Sequence, residues 1–370
     1  MTLTEFAALW GLTVKYCDLT LTTGANDGSD WANAFKTGPD AETGSAPGVC
    51  VAFKSRSIAQ TTPTWVTSGV AGTAAAPIVW VAVDDSDNVV DSANWKGYGG
   101  AVGVTVDMTG STGDIRGINI ATSAHINRYF FGFEIIGANH CFLSAAQRAL
   151  FFYCKSKNAR STGFITNLAG CGYYKCTFDG DLTGLSSTTI VSARSLVFKN
   201  CVTGVNASFG PFLSCIFAGN TTAINSGPTF GLTLRNCGFY NNATHIDLGT
   251  RASARLTMSD TLIVGGTTGV NANATTQNVD MFNTKWYDVT NIMAGAGAAN
   301  VMYMGDSGEL SEAPMVDPAS GNYMSKSTIA ALKNVAERIN EDTYQYSQAG
   351  LIQQVVAGGG YRPRARTIGI

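Results

Sequence analysis

The chain has 370 residues, of which 14% are charged, and a net charge of −2 from 24 Lys and Arg against 26 Asp and Glu; an ordinary soluble domain carries roughly 25% charged residues. With 45% apolar residues and 42 glycines, the chain has ample core material and many turns, which excludes a disordered polypeptide. The slight negative charge argues against a nucleic-acid partner held by bulk electrostatics, and no uninterrupted run of about 18 apolar residues offers a membrane-spanning helix.

In chain order, the opening has an acid at Glu5 and no basic stretch, so it does not read as a secretory signal. Thr2 and Glu5 have capping-box spacing for a short N-terminal helix, expected to lie across the open end of the fold and cover its edge. Asn26 to Asp30 has calcium-loop composition but lacks the closing Glu at position 12 of an EF-hand loop, and reads as a turn. Val49 to Phe53 and Pro77 to Val83 read as buried strands, and Val102 to Ile120 alternates apolar residues between glycine-rich turns.

From there a short pattern recurs: an anchor that is often Cys or Thr, a bulky apolar residue two positions on, then Gly, Asn or Asp. Anchors fall at Glu134, Cys154, Cys176, Leu196, Cys215, Cys237, Thr261 and Thr284, about 20 residues apart. Anchor and bulky residue share one face of a strand, and the residue that closes each copy suits a turn with positive φ. One such circuit is one coil of a parallel β-helix, which buries its face only by stacking on its neighbours. Cys154, Cys176, Cys215 and Cys237 are expected to form an inward ladder beside Phe178, Phe198, Phe217, Phe239 and Trp286. The nine cysteines are odd in number and show no CxxC spacing. They read as buried free thiols of a chain made in a reducing cytoplasm, with no metal site implied.

Beyond the coils, Ile329, Leu332, Val335 and Ile339 follow helical spacing. The tail carries Arg362, Arg364 and Arg366, the only basic cluster, a candidate arm for an acidic partner surface. The predicted organisation is an all-β chain with short helical or irregular capping segments at both ends. Residues 1–45 form an N-terminal cap, 46–295 the solenoid, and 296–370 an extension with an amphipathic helix and a basic tail.

The run from Gly24 to Phe35, followed by Gly72 to Ile78, resembles the opening of right-handed parallel β-helix repeat proteins, the pectin-lyase-like superfamily. The ending, Pro314 to Tyr323 with the final Thr367 to Ile370, is similar as well. The resemblance implies a right-handed parallel β-helix. Members without a secretion signal are common among tailed-phage virion proteins, so it also implies a virion protein made in the host cytoplasm.

Candidates for chemistry are few. Hydrolysis of a glycan needs two carboxylates roughly 5 to 10 Å apart. The pairs to consider are Asp179 with Asp181 and Asp260 with Asp280. Glu134 at an inward anchor would be a buried carboxylate with a raised pKa. The polygalacturonase-like members share Gly-His-Gly and Arg-Ile-Lys signatures that are absent here, and Asp84-Asp85 sits in what looks like a turn. His125, His140 and His245 lie in no triad context. Tyr153, Tyr240 and Tyr287 are expected to point outward, and Tyr173 and Tyr174 approach the Cys176 strand. The expected function is therefore a non-enzymatic capsid decoration or spike component without a cofactor. It acts through contacts with other virion proteins and itself as a homotrimer. The alternative is a tailspike-like receptor-binding protein or polysaccharide depolymerase with a surface glycan as ligand.

Overall fold

Parallel strands stack coil upon coil into three sheets of 12, 11 and 10 strands. The computed structural model describes residues 1–312 except 121–126, 145–147, 167–170, 188–189, 208–209, 227–230, 251–253, 296–299 and 306, together with two short strands at Met315–Asp317 and Asn322–Ser325. The stripe from Ile329 to Ile339, His125, and Arg362, Arg364 and Arg366 lie outside the described residues. The chain is a right-handed parallel β-helix. One coil runs through Ala149–Phe152 in the first sheet, Lys155–Lys157 in the second and Thr162–Thr166 in the third. The next repeats it at Cys171–Tyr174, Thr177–Asp179 and Thr183–Ser187. The solenoid is longer than the sequence implies at both ends. It begins with Thr13–Cys17, paired with Val49–Lys54, and continues to Val301–Met304 and Gly308–Glu309.

Each coil turns two corners in the left-handed region. The first is taken by Tyr153, Lys175, Ser195, Ser214 and Asn236 at φ 52° to 54°, and the second by Asn158, Gly180, Asn200 and Gly219 at φ 52° to 70°. The positive φ keeps each corner N–H aimed at the next coil: Tyr153 donates to Tyr174 O at 3.0 Å and Asn158 to Asp179 O at 2.8 Å. The ladder of inter-coil bonds thus runs through these bends.

Because pairing is in register, equivalent positions stack. Lys155 pairs with Thr177, Thr177 with Val197, Val197 with Ile216 and Ile216 with Gly238, which places Cys154, Cys176, Leu196, Cys215 and Cys237 in one column. All five are fully buried, and all nine cysteines are buried thiols outside any disulfide. Each anchor lies just past the first corner, next to the carbonyl two residues earlier. Cys154 Sγ lies 3.4 Å from Phe152 O, Cys215 Sγ 3.4 Å from Leu213 O, and Thr261 Oγ1 3.0 Å from Ser259 O. Cys and Thr interchange at the anchor because both are small and both bring a donor to that carbonyl. The neighbouring column stacks Phe178 on Phe198, Phe198 on Phe217 and Phe217 on Phe239, with ring centroids 4.3, 4.9 and 4.7 Å apart and planes within 9°; such stacked contacts add to simple burial. Trp286 continues the column half-buried.

The first copy of the pattern is out of register by one. Glu134 pairs with Lys155, so Phe133, fully buried, is the true anchor, and Gly137 (φ 70°) is its corner. Glu134 therefore points outward.

The ends also differ from expectation. The helix Leu3–Trp10 has the capping box, with Thr2 N–H donating to Glu5 Oε2 at 2.8 Å and Glu5 N–H to Thr2 Oγ1 at 3.3 Å. It lies on the outer face of the first sheet, Phe6 against Phe131 and Trp10 against Tyr129, and does not cross the open end. Its apolar stripe finds a flat apolar sheet face there, which buries more area than a strand edge offers. A second helix, Gly38–Thr43, takes the capping place. It packs on the strand Thr64–Thr67, with Ala41 buried among the core aromatics Phe53, Trp65 and Trp80. Its Glu42 receives the Arg128 guanidinium through bonds of 2.6 and 2.8 Å, and Arg128 is 1% exposed. Ser68 Oγ and the Val70 carbonyl, at 2.8 and 3.0 Å, accept further bonds from Arg128.

Two outcomes follow from this packing. Glu42→Gln leaves a buried guanidinium without its counter-charge, for an expected loss of about 3–5 kcal/mol in urea unfolding; the double variant Glu42→Gln/Arg128→Met recovers a large part of it. Burial also pushes the thiols up, Cys50 and Cys201 each to about 12. A disulfide-exchange reagent at pH 8 is therefore expected to label no cysteine of the native protein and all nine in denaturant.

Candidate functional site

The corner between the first and second sheets presents a wall of tyrosines and cations. Strand alternation separates Tyr173, buried and stacked 5.6 Å from Phe151, from Tyr174, which faces out. Tyr174 stands 6.2 Å from the ring of Tyr153, and Lys175 Nζ lies 5.0 Å from the Tyr174 ring and 5.7 Å from that of Tyr153. Tyr98, on a loop anchored by the buried Trp95, donates its hydroxyl to Lys175 O at 3.2 Å. Arg194 follows Tyr174 in the same outward column.

Beside these, the outer face of the second sheet carries Glu134, Lys155, Lys157, Asp179, Lys199 and Asp107 on neighbouring strands. Glu134 is 13% exposed and is held by Lys155 at 3.1 Å, Lys96 at 3.4 Å and the Thr105 hydroxyl at 3.1 Å. Burial pushes its pKa up, but Lys155 and Lys96 with their hydrogen bonds outweigh that and hold it below the usual glutamate value, the reverse of the rise expected for an inward anchor. Burial also pulls Lys96 below the ordinary lysine value, although Glu134 acts the other way. Lys96, Lys155, Lys157, Lys175, Arg194 and Lys199 share this wall with the carboxylates of Glu134, Asp107 and Asp179.

The carboxylate pairs do not converge. Asp179 and Asp181 flank the corner Gly180 and point to opposite sides of the sheet. Asp179 is outside with Lys199 at 3.2 Å, and Asp181 is buried with Ser156 Oγ at 2.5 Å. Asp280 sits opposite Thr257, bonded to Arg255 at 2.6 Å, while Asp260 lies three residues further on at a corner and accepts from Asn283 at 3.2 Å. Asp84 accepts two backbone N–H groups of its own turn, and Asp85 pairs with Arg56 at 2.9 Å. In the Asn26 to Asp30 loop the side-chain oxygens of Asn26, Asp27 and Asp30 accept local backbone N–H groups, at 2.8 to 2.9 Å. Among the described residues no group of three or more His, Cys, Asp or Glu could hold a metal ion.

His245 is fully buried, and its partners assign the tautomer: Nδ1 accepts from Asn242 at 3.0 Å and Nε2–H donates to Gly265 O at 2.7 Å. Burial lowers its pKa to about 4, so it is neutral. His140 lies half-buried at a strand start, its pKa also lowered by burial. Tyr240 packs outside on Ile216 and Ala218, and Tyr287 borders a shallow pocket with Asp288, Glu309 and Leu310. Sequence patterns pointed to none of the wall's cations, Lys96, Lys155, Lys157, Lys175, Arg194 and Lys199, nor to Tyr98; Lys96 and Tyr98 share one loop. Lys175 occupies a corner whose positive φ its residue type does not advertise.

The architecture is a parallel β-helix, as the stacked parallel sheets show. Solved structures that share it include two lyases. One is a pectate lyase, with 13% identity over 94% of this chain and 98% of that chain and a TM-score of 0.53. The other is a rhamnogalacturonan lyase, with 10% identity over 82% and 90% and a TM-score of 0.50. At these identities the likeness is one of fold. No family model and no curated protein matches the chain.

Replacing Glu134 by Gln leaves Lys96 and Lys155 without their counter-ion, for an expected loss of about 1–3 kcal/mol in denaturant unfolding at pH 7. Since the native pKa of Glu134 is depressed, its contribution is complete above the usual glutamate range and disappears as pH falls through the native value. The difference between wild type and variant is expected to shrink below pH 4.5; a constant difference down to pH 2 contradicts the assignment.

Proposed function

We propose that the protein binds an acidic polysaccharide along the wall between its first and second sheets. The observation that carries this reading is the cluster of Lys175 with Tyr153, Tyr174 and Tyr98 at the corner, continued by the lysines on the outer face of the second sheet. Lysines suit the carboxylates or sulfates of a glycan, and tyrosine rings suit the C–H faces of its sugars. A parallel β-helix repeats such groups at about 4.8 Å per coil, a spacing close to the rise of an extended sugar chain. The fold shared with two polysaccharide lyases supports a carbohydrate ligand. The separation of Asp179 from Asp181 and the ion pairs of Glu134 favour recognition over cleavage. On a tailed-phage particle such a wall belongs to a receptor-binding spike, the alternative set out from the sequence. A homotrimer that leaves this wall free is part of the same proposal, checked by light scattering.

Calorimetric titration with polygalacturonate at low ionic strength is the test. Binding is expected to weaken as salt rises. Lys175→Asn, which keeps a residue tolerant of positive φ, and Tyr174→Ala are each expected to weaken it about 2–5-fold, in line with about 0.5–1 kcal/mol for exposed cation and ring contacts. Absence of binding to any of a panel of uronate, sulfated and neutral glycans overturns the reading and favours a capsid decoration acting through protein contacts.

A further inference from the structure

Behind the wall lies a polar column that packing alone does not explain. The residue after the second corner is Ala159, Asp181, Cys201, Asn220 and Asn242 in successive coils. From Asp181, Cys201, Asn220 and Asn242 the side chain reaches back one coil. Asn242 Oδ1 accepts from Asn220 N–H at 2.9 Å, Asn220 Oδ1 from Cys201 N–H at 2.9 Å, and Asp181 Oδ1 from Ala159 N–H at 2.7 Å. The second polar atom faces the stacked column. Asn220 and Asn242 donate Nδ2–H to the carbonyls of Phe198 and Phe217, at 3.2 and 3.0 Å. Asp181 Oδ2 meets the Ser156 hydroxyl, at the equivalent position one coil back. Asp181 thus stands where an asparagine stands elsewhere, and a neutral carboxylic acid is the closest mimic of an amide.

Among the described residues no cation lies on its side of the sheet, and Lys155 and Asp179 act on it only from the outer face. From the strand Lys155–Lys157, Ser156 faces it while Lys155 and Lys157 point out. On its own coil Asp179 points out, as does Lys199 on the next. Cys201 from the next coil and Cys141 from the third sheet are the other titratable neighbours, both buried thiols pushed up by burial and so neutral. Gly163 closes the site: a Cβ there would lie 2.4 Å from Ser156 Oγ and 2.6 Å from Asp181 Oδ2.

We propose that Asp181 is a proton-dependent latch between coils: neutral, it fills a rung of the asparagine ladder, and ionised, it sets a charge facing no cation in the core and loosens the stacking of the coils anchored at Cys154 and Cys176. The proposal is independent of the glycan reading. Burial, which outweighs the bonds from Ser156 and Ala159, raises Asp181 from 3.8 to about 7. The native state then binds more protons than the unfolded chain between those values. Stability is complete below about 3.8, falls as pH rises through about 7 and is level above.

The test compares thermal unfolding of the full chain, wild type against Asp181→Asn, from pH 4 to pH 9. The amide keeps the rung and cannot ionise. Relative to Asp181→Asn, the wild-type unfolding constant is expected to rise by up to about a thousandfold across that range and then level off. Ser156→Ala removes the donor to the anion and is expected to carry the fall to higher pH. The carboxyl ¹³C shift of Asp181 is expected to titrate near neutrality. An Asp181→Asn variant with the wild-type pH profile, one less stable than wild type at pH 8, or a carboxyl resonance that titrates near pH 4 overturns the proposal. If Asp181→Asn does not fold, the Ser156→Ala profile and the carboxyl titration decide the matter.

Discussion

The in-register hydrogen bonding of one coil to the next is the constraint on which the rest depends. Strand and corner N–H groups of a coil bond to carbonyls one coil away, side-chain oxygens of the next coil serve at the residue after the second corner, and corners at φ near 50° to 70° carry the pattern through the bends. Once the register is set, side chains lose independence: each inward position lies on its own equivalent. Flat rings then stack on rings, thiols on thiols and amides on amides. A residue that cannot repeat must find a substitute with the same shape and the same bonds. Thr261 and Thr284 stand in for the anchor cysteines in this way, and Asp181 for an asparagine.

The same constraint makes the ends special. A coil with nothing beneath it leaves a row of unpaired amides and an open core. At the start of the chain the helix Gly38–Thr43 replaces a strand of the third sheet, and Glu42 meets Arg128 behind the core aromatics. A buried ion pair is seldom a net source of stability against an apolar substitute, but it tolerates few alternative arrangements. Here it fixes which helix covers the end. The capping-box helix, by contrast, has a free apolar stripe and settles on the apolar outer face of the first sheet.

The outward positions escape stacking by shape and are free to carry chemistry. Along most of the second sheet's outer face that freedom is modest: Ile216, Ala218 and Tyr240 make a small apolar patch. Between the coils of Glu134 and Lys199 the composition changes to lysines, tyrosines and a few carboxylates, with a loop folded over one edge to add Lys96 and Tyr98. The coils under this stretch hold the one acidic member of the inner amide column.

The sequence by itself determined the solenoid. A period of about 20 residues, an anchor and a bulky residue two apart, and a Gly, Asn or Asp at the second corner are local signals, and each survives in the structure. It also determined the inward cysteine and phenylalanine columns, because a period-two pattern marks one face of a strand whatever the strand packs against. Tertiary structure alone decided the rest. The first corner is invisible in the residue types, since Tyr153, Lys175 and Ser195 adopt positive φ only because the coil-to-coil bonds require it. Without that corner the register of the earliest copy slips by one, and a single step turns Glu134 from an inward anchor to an outward ion-pair partner. The opposite orientations of Asp179 and Asp181 follow from the turn at Gly180. The wall itself joins residues 96 to 199, which lie far apart in the chain and become neighbours only when the coils stack.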